Sequence, residues 1–340
     1  MRSAVGKARV GTVLTVSMAT GLLALGQTPA VAGNGDGTTD TTEQAPATGN
    51  PSNTIGSLVT FKGNAPKGGT PMAAPAGVEW KPPACWYEPM WKPKEYKKAM
   101  EQSNPPGAVL GDYEEEFYAY KDKRKKQKYN VGKDGLWWSL KYDSDRDYEG
   151  AGCLAKDPDL WVPKGEPPED PAALDPEMLA KLAYKQTKLP APPVTLRPAS
   201  GKQVVNLETH VGFKAPLDRV WVTASIDHMG VDLAATTVAT PASLKVSAGT
   251  ADADPANCTY DLKKGEKGYE VDSEDAGCNI TYRRSSGKGT HPFKASLVWK
   301  VTWTDSADPD GPAQQPALPD GQSEYEQDVT VKEIQSIVRD

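Results

Sequence analysis

The sequence is poor in the residues that run chemistry at neutral pH. Its only near-neutral bases are three histidines, His210, His228 and His291. None stands in an HExxH pattern and no GxSxG is present, so the zinc-protease and serine-hydrolase arrangements have no local signature. There is no GxGxxG. Past residue 32 every Gly-Lys pair is followed by something other than Ser or Thr, as in Gly132-Lys133-Asp134, Gly201-Lys202-Gln203 and Gly287-Lys288-Gly289. That removes the phosphate loop, and no βαβ run exists to hold a dinucleotide. No cofactor is expected.

Excess positive charge is missing as well. The formal net charge is −6, and Arg2, Lys7 and Arg9 are the only charges before residue 33, so without that segment the balance moves to −9. A nucleic-acid ligand needs a basic footprint, and none is expected here. Long apolar runs are scarce too. The one from Val10 to Leu25 follows the basic residues and ends at Pro29-Ala30-Val31-Ala32-Gly33. A positive start, a short apolar stretch and an A-x-A exit are the three parts of a cleaved export signal, with Ala30 and Ala32 in the peptidase subsites and Gly33 as the new N-terminus. The run is short for a bilayer span of about 20 residues. No membrane span is expected after its removal.

Cysteine is sparse but even in number: Cys85, Cys153, Cys258 and Cys278. In an exported chain four cysteines read as two bridges with three connectivities open. Separation along the chain favours Cys85–Cys153 and Cys258–Cys278, one per module. A zinc site lacks its CxxC pairs, and no metal is expected.

What the chain does contain falls into blocks. Residues 33–79 are rich in Gly, Pro and Thr and predict a disordered linker, with one short strand candidate at Leu58–Phe61. From Trp80 to Trp161 the chain carries six of nine Trp and eight of thirteen Tyr, although it holds one of only four Phe. Residues 80–189 therefore read as a small, disulfide-stapled aromatic module, mainly helical or irregular. Pro93 suits a first helical turn and starts a helix to about Ser103. Asp112 to about Lys128 forms a second, acidic at its start and basic at its end, as the helix dipole favours. A third runs from Pro176 to about Lys188, with Asp175 as its cap. Residues 190–340 turn to period-two alternation, clearest from Phe293 to Trp303, where every odd position is apolar. Further strands are expected at Val205–Phe213, Val220–Ile226, Val231–Thr240, Ser243–Val246, Asn279–Arg283 and Asp328–Val338. Seven or eight such strands predict an all-β, Ig-like sandwich, and an α+β chain overall. The 20-residue spacing of Cys258 and Cys278 is too short for the inter-sheet bridge of a true immunoglobulin domain.

The aromatic block also carries the candidate ligand contacts: Trp86, Tyr87, Trp91, Trp137 and Trp138. Exposed rings of this kind stack on sugars, while a module with few Leu or Ile can equally use them as its core. In an extended segment the Trp137-Trp138 pair must send one ring to each side, and one is expected to face outward. The basic run Lys121–Lys128 suits an anionic polymer or a solvated helix end. Asp143, Asp145 and Asp147 have calcium-loop spacing, but Tyr148 and Leu154 stand where Gly and Glu belong. Paired carboxylates for glycoside hydrolysis have candidates in Glu88, Glu95 and Glu114–Glu116.

The segments PPACWYEP (82–89), YNVGKDGLWW (129–138), TYRRSSGKGTHPFKASLVWKVTWT (281–304) and QDVTVKEIQSIV (327–338) resemble a group of exported actinobacterial proteins of unknown function. The resemblance covers most of the chain beyond the export signal. Members often carry automatic names such as enoyl reductase or ATP/GTP-binding protein, for which this chain has no motif, so no residue role is carried over. It implies export, a Gram-positive cell exterior and an unassigned activity. The expectation is a secreted, non-enzymatic binding or structural protein whose partner is cell-wall glycan or another extracellular protein. The alternative is a wall- or polysaccharide-active hydrolase with its site in the aromatic module.

Overall fold

In the computed structural model, residues 58–72, 83–103, 112–142, 152–271 and 277–334 are described. The export signal, residues 33–57 and the Asp143–Asp147 loop lie outside them. Where the apolar residues alternate, strands form: β1 (Thr60–Gly63), β2 (Cys85–Trp91), then the helices α1 (Pro93–Gln102) and α2 (Asp112–Lys126). There follow β3 (Gly135–Tyr142), β4 (Asp159–Pro163), α3 (Pro176–Gln186), β5 (Val194–Arg197) and β6 (Glu208–Phe213). The long strands come next: β7 (Val220–His228), β8 (Val231–Ser247), β9 (Asn257–Gly265), β10 (Gly268–Val271), β11 (Ile280–Tyr282), β12 (His291–Thr304) and β13 (Gly321–Val329). The described chain is mostly β, with antiparallel sheets.

The largest sheet has seven strands and is organised by β8. Along one edge β8 pairs first with β7, from Val231 to Ala239, and then with β9, from Ser243 to Ser247. Its other edge pairs with β12, which in turn pairs with β13. The register slips between Pro241 and Ser243. Proline has no N–H to donate, so it belongs at such a bulge, and here it falls where one partner strand gives way to the next. The two strands expected at Val231–Thr240 and Ser243–Val246 are thus one. On β12 the odd positions Phe293, Ala295, Leu297, Trp299, Val301 and Trp303 are all buried, as alternation predicts. A four-stranded sheet places β5, β6 and β11 beside the short strand Ala253–Asp254.

Two boundaries expected from composition do not hold as packing boundaries. Residues 58–72 are not linker: β1 lies on β7, with Phe61 opposite Ala224, and Thr70–Pro71 pairs with Lys188–Leu189. The helix α3, grouped above with the aromatic block, packs on β7 and β8. Its Leu179, Ala180 and Ala183 are fully buried, and Thr237 on β8 donates to the Ala180 carbonyl at 2.7 Å. Small residues on that face let helix and sheet approach closely. One hydrophobic core accordingly runs from Trp86, Tyr87 and Trp138 through Leu179 to Trp299 and Val329.

The aromatic block is itself a sheet, β2–β3–β4, with helices on one side. Pro89 and the Trp-rich runs hide this in the sequence. The register shifts between Pro89 and Trp91, again beside a proline. Both expected disulfides are present: Cys85–Cys153 within this block and Cys258–Cys278 in the β region. The second ties β9 of the large sheet to the segment entering β11 of the four-stranded one.

Candidate functional site

The rings offered by the sequence as ligand contacts are mostly core. Trp86 and Tyr87 are buried; the Trp86 indole donates to Glu88 Oε2 at 3.2 Å and the Tyr87 hydroxyl to the Asp157 carbonyl at 2.6 Å. Burial, then the nearby Asp170, Asp157 and Asp159, push the Tyr87 phenol up to about 12. Trp91 is half-buried against the helical side. Trp137 and Trp138 are 0 % and 2 % exposed, so the expectation of one outward ring is overturned. Alternation along β3 does separate them. The sheet is covered on both faces, so Trp137 enters a cluster with Tyr96, Met100 and Tyr129, while Trp138 enters the main core.

On the helical face the burial is polar as well as apolar. Trp137 stacks on Tyr96 at 4.4 Å between centroids and donates to the Tyr129 carbonyl at 2.9 Å. Arg124, buried on α2, lies 4.6 Å from the Trp137 ring and 4.7 Å from that of Tyr120. Asp159 accepts from Tyr96 at 3.0 Å, Tyr120 at 2.8 Å and Ser139 at 2.5 Å, and its carbonyl accepts from Arg124 at 2.7 Å. A buried carboxylate is tolerated only with such donors around it. The network clamps α2 to β4. It also absorbs part of the basic run: Arg124 is inside, and Lys123 pairs with Asp157 at 2.8 Å. Two of the carboxylates suggested for hydrolysis, Glu88 and Glu95, have structural partners, whereas Glu115 and Glu116 are exposed on α2. Glu88 faces Lys141 at 3.9 Å, and Glu95 accepts from the Lys92 backbone at the start of α1. Among the described residues, no group of three or more His, Cys, Asp or Glu is placed to hold a metal ion, and no helix is long and apolar enough to cross a membrane.

Open space lies on the other side of β3. A cleft of about 870 Å³ is bounded by the turn before β3, the end of β4, the start of α3 and the β7–β8 hairpin. Its apolar lining includes Leu136, Val162, Leu174, Val231 and Leu233, with Trp138 among them. The Trp138 indole N–H is buried and meets no hydrogen-bond acceptor. Charged side chains stand on the rim: Lys133 and Asp134, Lys164 and Glu166, and Asp232 on the hairpin. Asp175 also lines the cleft while accepting from Met178 N at 2.7 Å as the cap of α3. Burial raises its carboxyl above the ordinary carboxylate range, and the Met178 bond offsets only part of this.

The turn feeding the cleft is strained. Lys128, Tyr129 and Asn130 take φ of 52°, 53° and 54° in succession. L-residues visit this left-handed region singly, at roughly 1–2 kcal/mol each. At Gly135 a Cβ would come within 2.5 Å of the Val162 carbonyl, so β3 and β4 can close there only on glycine. Of the residues expected to touch ligand, the cleft takes up Trp138 alone. No local pattern groups these rim charges, because they come from three separate segments. The one local trace is the glycine-punctuated run Asn130–Gly135.

Compared with protein-family models, with curated proteins and with solved structures, the chain finds no match.

Proposed function

We propose that this chain is an exported, non-enzymatic binding protein of the cell exterior, an Ig-like sandwich carrying an aromatic sheet, whose ligand occupies the cleft above Trp138. The cleft carries this reading. It falls within the size range of small-ligand sites, about 300–1,000 Å³, and combines apolar walls with a few charged groups, as such sites do. The export-type N-terminus and the two disulfides support a place outside the cytoplasm. The partner is a component of the cell wall, its glycan or a protein held there. A hydrolase is the weaker account, because Glu88 and Glu95 are engaged in structure.

The test is to mix the purified protein with insoluble peptidoglycan, chitin and cellulose and to measure both retention and released reducing sugar. Retention on peptidoglycan without release is expected. Release of sugar would replace the binding reading with the hydrolytic one, and absence of retention on all three would remove the wall as partner.

A further inference from the structure

The helical face of the aromatic sheet carries a second arrangement, independent of the cleft and its ligand. Trp91 on β2, Trp137 on β3 and Trp161 on β4 occupy directly opposed positions, so three indoles form one row across the strands. The ends of the row, Trp91 and Trp161, are half-buried, and its centre, Trp137, is enclosed. The Trp161 and Trp137 centroids are 5.4 Å apart, and Trp137 stacks on Tyr96 at 4.4 Å. Beyond the Tyr96 ring lie the Tyr120 hydroxyl, at 3.0 Å from its own, and Asp159 Oδ2, which accepts from both phenols. Packing asks only for the rings. A carboxylate enclosed at the end of the row is a cost that packing does not require.

Indoles and phenols can each lose one electron, and they differ in what they need afterwards. An oxidised phenol is a very strong acid and settles only once its proton has gone to a base. An oxidised indole keeps a positive charge until it finds one. Trp137 has no base at hand, because its N–H points to the Tyr129 carbonyl, a poor proton acceptor. The Arg124 guanidinium also lies 4.6 Å from its ring. A cation there is attracted by the electron-rich face of a neutral indole and repelled by an oxidised one. Tyr96 and Tyr120, by contrast, already donate to Asp159. Positive charge is therefore driven off Trp137 and neutralised at the phenols.

We infer that the tryptophan row collects one-electron oxidation at the surface and delivers it to the Tyr96–Tyr120 pair, which holds it as a neutral tyrosyl radical. The oxidant is a small radical of the surroundings, such as a hydroxyl or carbonate radical. It takes one electron from Trp161 or Trp91 and is itself reduced to the anion. An electron then passes from Trp137 to the oxidised indole, and another from Tyr96 or Tyr120 to Trp137. With that last electron the phenolic proton moves to Asp159 Oδ2. The products are intact tryptophans, a neutral phenoxyl and a protonated carboxyl.

The experiment is pulse radiolysis of the full-length protein with the azide radical, which oxidises indoles in preference to phenols. The tryptophyl absorption is expected to give way to tyrosyl absorption in a first-order step whose rate is independent of protein concentration. The step is slower in heavy water, because a phenolic proton moves with the electron. In Tyr96→Phe/Tyr120→Phe the tryptophyl radical persists and most of the tyrosyl yield is lost. The two measurements on the parent keep the inference testable if this variant misfolds. A transfer that depends on protein concentration, or that runs equally fast in heavy water, overturns the inference. Tyrosyl formation at the parent rate in the folded variant also overturns it, since another tyrosine would then be the acceptor.

Discussion

Tyr96 and Tyr120 sit 3.0 Å apart and both donate to one carboxylate oxygen of Asp159. Burial and the Asp159 charge raise both phenols well above their ordinary value of 10.0. An unfolded tyrosine ionises near that value, whereas these two keep their protons in the fold. Above about pH 10 the unfolded state therefore holds fewer protons than the folded one, and stability falls as pH rises. The melting temperature is expected to drop steadily from pH 10 upward. In the double variant Tyr96→Phe/Tyr120→Phe that slope becomes shallower, although the variant begins less stable because Asp159 loses two donors. An unchanged slope would place the two phenols outside the alkaline transition. At this scale the sequence was readable for contents and not for exposure. It marked Trp137 and Trp138 as neighbours on opposite faces, and that holds. It could not say that both faces are covered, because the covering residues, Tyr96, Met100 and Leu174 among them, lie dozens of positions away.

Elements were legible where a residue at the end enforces the boundary. Pro93 and Asp175 set the starts of α1 and α3 where expected, and strict alternation revealed β12. Failures came from proline inside strands. Pro89 excluded a helix and left β2 as an extended or turned segment with no sheet partner named, and Pro241 split β8 into two expectations. Charged or polar short strands such as β9 and β10 gave little apolar signal, since β9 buries only Cys258 and Tyr260. That makes the Cys258–Cys278 bridge more important to β9 than its own burial. It closes a loop of 20 residues, and a loop of that size contributes about 3 kcal/mol by restricting the unfolded chain. The double variant Cys258→Ala/Cys278→Ala is expected to lose about 2–4 kcal/mol in urea unfolding. Faster amide exchange should then be confined first to β9, β10 and β11. A uniform increase across all strands would mean that the bridge stabilises the fold only globally.

For the molecule as a whole, composition suggested two modules meeting near residue 190, and packing does not follow that line. The edge of β2 is extended by Ala172–Leu174, through Tyr87 N to the Ala172 carbonyl at 2.9 Å and Leu174 N to the Tyr87 carbonyl at 3.1 Å. This run leads straight into α3, which lies on β7 and β8. The amphipathic pattern of α3 showed that it packs, but no local pattern names its partner. Residues 58–334 are expected to unfold in one calorimetric transition, with van't Hoff and calorimetric enthalpies in agreement. Two resolved transitions would show that the aromatic sheet and the large sheet fold separately after all.

The pairing of β1 with β7 bears on the order of events during folding. Thr60 reaches its partner Ser225 across 165 residues of chain. In a chain delivered N-terminus first, β1 emerges long before its neighbour exists and waits through the making of all three helices and the aromatic sheet. Closing so distant a pair is slow, because the entropy of the loop is lost before the contacts form. The first strand to appear therefore cannot dock until β7 has been made, and the sheet takes in its oldest segment only after the three helices and the aromatic strands have left the exit.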